Sequence, residues 1–224
     1  MIRVNVVVEG QTEETFVNDV LAESLWPHDV HLNPIQIGPP GHRGGRTSYP
    51  RVKRDIVTYL KQDRTAFCST MLDFYGLGAA FPGTPVPPGL SVSAKAEYIE
   101  QSILDDVHRT YPELRADRRL VPYIQMHEFE GLLFSDPSAF AEAIYLPSLA
   151  ARLQRIRDDF ETPEEINDNR ETAPSKRVLA LHPSYRKPLD GTRAARAVGI
   201  DKMLGECAHF AKWVQKLRAL TDIV

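Results

Sequence analysis

With 224 residues, 42% of them hydrophobic and 25% charged, the chain has globular composition and enough length to bury a core without cross-links or a structural metal. A net charge of −3 argues against broad electrostatic coating of nucleic acid, while leaving room for a local basic groove beside an acidic site. Cys68 and Cys207 stand far apart without CxxC spacing, which disfavours a zinc ribbon or a disulfide framework. No apolar run approaches the roughly 20 residues of a membrane helix. The opening Met1-Ile2-Arg3-Val4 enters a strand pattern without the layout of a signal peptide, so the cytoplasm is the default location.

Val4 to Val8 reads as a strand buried on both faces. Glu9-Gly10-Gln11-Thr12 turns the chain, with Thr12 as the expected N-cap and Glu13 and Glu14 in a first helical turn where negative charge suits the dipole. Phe16, Val17, Val20, Leu21 and Leu25 give that helix an apolar stripe. His31 to Ile37 reads as a short second strand, and Pro34 argues for an edge or an irregular start. A Gly- and Pro-rich loop over 38–48 leads to a helix from about Pro50 to Gln62, and Ala66 to Leu72 is a central strand ending at Asp73-Phe74-Tyr75-Gly76. The segment 77–90 is a long ordered loop, Ala94 to Tyr111 an amphipathic helix, and Leu120 to Gln125 a fourth strand running into Met126-His127-Glu128-Phe129-Glu130. The remainder is helical, with a helix expected over Ala139 to Arg157, a polar bridge over Glu161 to Pro174, and a last helix near Phe210 to Leu220. The expected organisation is an α/β core over 1–136 and a mainly helical extension over 137–224 packed on it.

Acids recur at three strand ends: Glu9, Asp73, and Glu128 with Glu130. In parallel α/β sheets these ends share one edge, where ligands bind. Carboxylates gathered there repel one another without a cation, and Mg2+ (or Mn2+) suits one or two carboxylates completed by water and phosphate. Each acid also has a structural reading. Glu9 and Asp73 are ordinary turn residues, and Glu13, Glu128 and Glu130 suit a helical first turn. His127 is a candidate metal ligand, general acid or phosphate-orienting group, against a purely structural role at a helix start. The pair His127-Glu128 is not the zinc-protease HExxH, because Gly131 holds the fifth position. Arg43 and Arg46, in the Gly-rich loop, are candidate phosphate contacts. A second basic set contains Lys176, Arg177, Arg186, Lys187, Arg193 and Arg196, at least half of it expected to be solvated surface. No GxSxG elbow, GxGxxG fingerprint or P-loop is present, which disfavours a serine nucleophile, a dinucleotide cofactor and a P-loop nucleotide.

Val8-Glu9-Gly10-Gln11-Thr12-Glu13 resembles the opening motif of Toprim domains, found in topoisomerases, primases and the overcoming-lysogenization-defect nucleases. Adding Asp73-Phe74-Tyr75-Gly76, Phe81-Pro82-Gly83, the run from His127 to Asp136, Pro174-Ser175-Lys176-Arg177 and His209-Phe210, the ordered set resembles domain-of-unknown-function family four-two-seven-six over nearly the whole chain. The resemblance implies a Toprim-like fold with a mostly parallel sheet sandwiched by helices. It also implies an association with bacterial anti-phage defence, in some members beside an ATPase partner. Glu9 matches the Toprim glutamate, as acid/base or metal ligand, and Asp73 matches the first aspartate of the DxD motif. Tyr75 occupies the place of the second aspartate, so either Glu128 or Glu130 supplies the missing oxygen or metal binding is weaker. The implied activity is a Mg2+-dependent nuclease or other phosphodiester-processing enzyme on DNA or RNA, with Arg43, Arg46 and Lys176 positioning the backbone. The alternative is a catalytically faded binding or effector subunit working through a protein partner.

Overall fold

Five strands, all parallel, form the centre of the molecule in the computed structural model, which describes residues 1–38, 47–167 and 170–222. They are β1 (Ile2–Val8), β2 (Val30–Gln36), β3 (Phe67–Asp73), β4 (Leu120–Val121) and β5 (Ile124–Gln125). The order is β2-β1-β3-β4, with β5 also alongside β3. Strand alternation divides the core into two layers. Val4, Val6, Val8, Phe67 and Met71 face one side, while Val7, Cys68 and Leu72 face the other. The second layer is closed by α2 (Tyr49–Gln62) and α3 (Val92–Thr110), which contribute Val52, Ile56, Ile99 and Ile103. The first is covered by α1 (Gln11–Phe16) and by helices from the C-terminal part. The α/β class, the largely parallel sheet and the helical C-terminal part agree with the sequence reading, including an edge position for the Pro34 strand.

Four features differ, each for a local reason. The first helix begins at Gln11 after an extended Gly10, because the Glu13 carboxylate accepts the Gly10 N–H at 3.0 Å; Thr12 is therefore a buried helical residue and not the cap. Beyond Phe16 the helix widens into a π turn over Val17–Leu21, which keeps the expected apolar stripe buried. Pro122 lies in the gap that divides the fourth expected strand into β4 and β5, since proline has no N–H for the ladder. The long helix expected over Ala139 to Arg157 is likewise two pieces. Between α4 (Ala116–Arg119) and the C-terminus run α5 (Pro137–Ala143), α6 (Ala150–Asp158), α7 (Pro174–Leu181), α8 (Thr192–Val198), α9 (Ile200–Glu206) and α10 (Ala208–Arg218). The break between α5 and α6 holds Tyr145 at φ 61° and Pro147.

A buried polar network fastens α10 to the sheet. Trp213 donates its indole N–H to Ser69 Oγ on β3 at 2.9 Å and stacks on Tyr123 with centroids 4.2 Å apart. Glu164 accepts the His209 and Phe210 backbone N–H groups at the start of α10, at 3.0 and 2.9 Å. His209 Nε2 meets Glu100 Oε1 at 2.8 Å, and that oxygen also accepts the Ile124 N–H at 2.9 Å. Burial opposes protonation of His209, but the hydrogen bond and charge of Glu100 outweigh it and hold the imidazole above its ordinary pKa. The stabilisation from this pair is thus complete below the ordinary histidine value and is lost as pH rises through the elevated one. His209→Gln is expected to cost about 2 kcal/mol in acidic buffer and progressively less toward alkaline pH. Urea midpoints across that range check it, and a cost independent of pH would contradict the assignment.

Candidate active site

Because β1 and β3 are neighbours with Val8 opposite Met71, Glu9 follows β1 at the same edge where Asp73 ends β3. Asp73 pairs with Gln125 of β5, from which the chain runs straight to Glu128 and Glu130. This edge opens into a cavity of ≈ 390 Å³ lined by Glu9, Asp73, Tyr75, Gly76, Glu128, Glu171, Lys176 and Lys187. The three sequence-selected strand ends therefore do converge, together with Tyr75 and Lys176.

Backbone donors hold the acids in place. Asp73 Oδ1 accepts the Phe129 N–H at 2.9 Å, and Glu128 Oε2 accepts the Ser175 N–H at 2.9 Å, just inside α7. Glu13 is fastened to the Gly10 N–H and buried. Glu130 is fully buried behind the cavity; Lys187 Nζ lies 3.1 Å from its Oε2 and 3.3 Å from Asp73 Oδ2. Neither Glu130 oxygen has a well-aligned hydrogen-bond donor, so the ammonium supplies charge there more than direction. Lys187 comes from the π turn Lys187–Gly191 that precedes α8, where the Asp190 carboxylate accepts the Arg186 N–H at 2.7 Å.

The electrostatics follow from burial and crowding. Burial first, and the neighbouring Asp73 charge second, push both Glu9 and Glu13 up to about 7. Burial raises Asp73 against the pull of Lys187, and raises Glu130 to about 7. Burial works against the Lys187 ammonium, yet Asp73, Glu130, Glu13 and Glu128 together hold its pKa above the usual lysine range. Several carboxyls raised in one cleft and one strongly retained cation mark this edge as chemically poised.

Gly76 is fixed by the same crowding. A methyl built on it would lie 2.8 Å from Glu9 Oε1 and 2.9 Å from Glu9 Cδ. Gly76→Ala is expected to push the Glu9 carboxylate aside and reduce any turnover at this site about 100-fold, with the melting temperature little changed. Parallel kinetics and thermal melts test this; unaltered kinetics would place Glu9 outside the chemistry.

His127 does not line the cavity. Its backbone adopts φ 61°, its carbonyl accepts the Tyr75 N–H at 3.2 Å, and its ring packs against Tyr75 and Phe74 at 5.4 and 6.1 Å. Burial, and then Lys95, lower it to about 4, so the ring is neutral at physiological pH. Its geometry serves to hold the Asp73-Tyr75 turn. Arg43 and Arg46 lie outside the described residues. Lys187 and Glu171 are site residues that sequence reasoning missed: Lys187 is one of six basic residues with nothing adjacent to single it out, and Glu171 lies in the polar bridge. The one available signal for Lys187 was the number of acids in need of a counter-charge.

Among the described residues, no three of His, Cys, Asp and Glu converge tightly enough to enclose a cation. The donors nonetheless fit a hydrated Mg2+, which needs only one or two carboxylates beside water. Glu9 Oε2 is buried without a hydrogen-bond donor, Glu128 spends one oxygen on a backbone N–H and keeps the other for a ligand, and Asp73, with Oδ1 on a backbone N–H, would share Oδ2 between Lys187 and an ion. A family model described as a domain of unknown function (DUF4276) matches residues 8–218. No curated protein and no solved structure matches the chain.

Proposed function

This chain belongs to the DUF4276 family, and from that premise we propose that it is a Toprim-like, Mg2+- or Mn2+-dependent phosphodiester-processing enzyme acting on DNA or RNA. The observation that carries the reading is the meeting of Glu9, Asp73 and Glu128 with Lys176 and Lys187 in one open cavity. Four acids, Glu171 among them, beside two cationic side chains suit a metal ion together with a substrate that brings phosphate. Asp73 would hold the ion with Glu9 or Glu128, and the bound ion would supply Lewis-acid stabilisation of the phosphate and of the attacking oxygen. Glu9, with a carboxyl raised to about 7, is suited to taking or giving a proton near neutral pH. Lys176, on the rim and exposed to the same cavity, would contact the polynucleotide backbone. A place in anti-phage defence beside an ATPase partner rests on the motif resemblance alone.

A second reading has its own support. Tyr75 stands where a Toprim enzyme has its second aspartate, and Lys187 already neutralises part of the acid cluster. Such a site needs no metal to be stable, which suits a binding or effector subunit whose chemistry has faded.

Incubation with labelled plasmid DNA, total RNA and an aryl phosphodiester, each with Mg2+ or Mn2+, separates these readings. Cleavage of a polynucleotide supports the first. Hydrolysis of the aryl ester alone would point to a small-molecule esterase, and no turnover of any substrate favours the second.

A further inference from the structure

The ammonium of Lys187 lies between two carboxylates that come from different strand ends, Asp73 at 3.3 Å and Glu130 at 3.1 Å. Glu130 is wholly inaccessible to solvent, and neither of its oxygens has another donor. Burial favours the neutral form of such a carboxyl, and Lys187 is the cation that faces it and supports its charged form. Two-metal phosphodiesterases place a second divalent ion about 4 Å from the first, sharing a carboxylate with it. Here the Asp73 carboxylate that would be shared is already divided, Oδ1 to the Phe129 N–H and Oδ2 to Lys187. Toward the cavity, the Glu128 oxygen not engaged by Ser175 is left for a ligand, and Glu9 lines the same cavity with its Oε2 buried and without a donor. Tyr75, lining the same cavity, offers a phenol in place of a further carboxylate.

We propose that Lys187 takes the place of a second divalent ion, so that the site binds one metal ion beside a fixed ammonium. The proposal rests on the metal-dependent reading above and deepens it. Lys187 acts as a positioning residue: it keeps the Asp73 and Glu130 charges compensated whether or not the metal is bound. The chain would then need only one ion for full occupancy, with a single saturable phase.

Counting bound Mn2+ by electron paramagnetic resonance of the free ion tests this without any activity measurement. The wild-type chain is expected to bind one ion, Lys187→Met two, and Asp73→Asn none with comparable affinity. Two ions in the wild type, or one in both the wild type and Lys187→Met, would overturn the inference while leaving a metal site standing. So would an ion bound only after Lys187 is removed, since the lysine would then exclude metal altogether. No binding to any of the three chains would overturn the metal-dependent reading as well. If Lys187→Met does not fold, the wild-type count decides alone: one ion supports the proposal, and two or none overturns it.

Discussion

Asp73→Asn is expected to lower turnover on the order of 1000-fold while leaving the chain at least as stable as the wild type. The two effects come from the same residue for different reasons. The asparagine keeps an oxygen able to accept the Phe129 N–H, so the turn after β3 retains its anchor. It removes a buried charge that now raises Glu9 and Glu13 by like-charge repulsion. Relief of that repulsion offsets the lost contact with Lys187, whose ammonium keeps Glu130 at 3.1 Å. A functional site that carries excess negative charge exchanges stability for chemistry, and neutralising it commonly reverses the exchange. Steady-state kinetics and denaturant unfolding on the same preparation check this. A variant that loses activity only because it unfolds would show Asp73 to be structural.

Lys187→Met is expected to have the opposite balance, a loss of about 3 kcal/mol of stability in metal-free buffer. Removing one partner of a buried ion pair strands the other, and here Asp73 and Glu130 are stranded together. The value sits toward the low end for such pairs because Lys187 keeps 35% of its side chain in solvent, where water screens part of the interaction. Divalent metal is expected to restore part of the loss, because an ion can take over the compensation of those acids. Thermal melts with and without Mg2+ provide the comparison. A Lys187→Met chain as stable as the wild type would remove Lys187 from the account.

A pH dependence of metal binding follows from the raised carboxyls. Ligands bind a divalent ion in their deprotonated form, so the apparent affinity for Mn2+ is expected to rise with pH through about 7 and then level off. Affinity that is flat across that interval would mean that Glu9 is not among the ligands.

Much of this was legible in the sequence because each strand end carries its signal locally. The run Val4 to Val8 followed by Glu9, and the run ending at Asp73, announce both the strands and the acids, and parallel pairing then places them together. Glu128 and Glu130 were indistinguishable at that level. The tight 3₁₀ turns that begin at Phe129 put Glu128 on the cavity and Glu130 behind it, a difference that depends on turn geometry and not on residue type. Lys187 reaches Asp73 across 114 positions of chain, so no local pattern could reveal it. His127 reads from the sequence as a candidate ligand beside a structural role, and its left-handed backbone turns the ring toward Phe74 and Tyr75. The strand break at Pro122 and the helix break near Pro147 are signalled by the prolines themselves, and the apolar pattern around them conceals the signal.

In the proposed function, metal-dependent phosphodiester chemistry takes place at Glu9 and Asp73. The most direct measurement is Mg2+-initiated cleavage of end-labelled DNA and RNA by the wild-type chain beside Glu9→Gln and Asp73→Asn, with folding of all three verified. Cleavage by the wild type that requires the metal and is lost in both variants is the predicted result. Cleavage that persists in both variants, or that proceeds equally in a chelator, would contradict the claim.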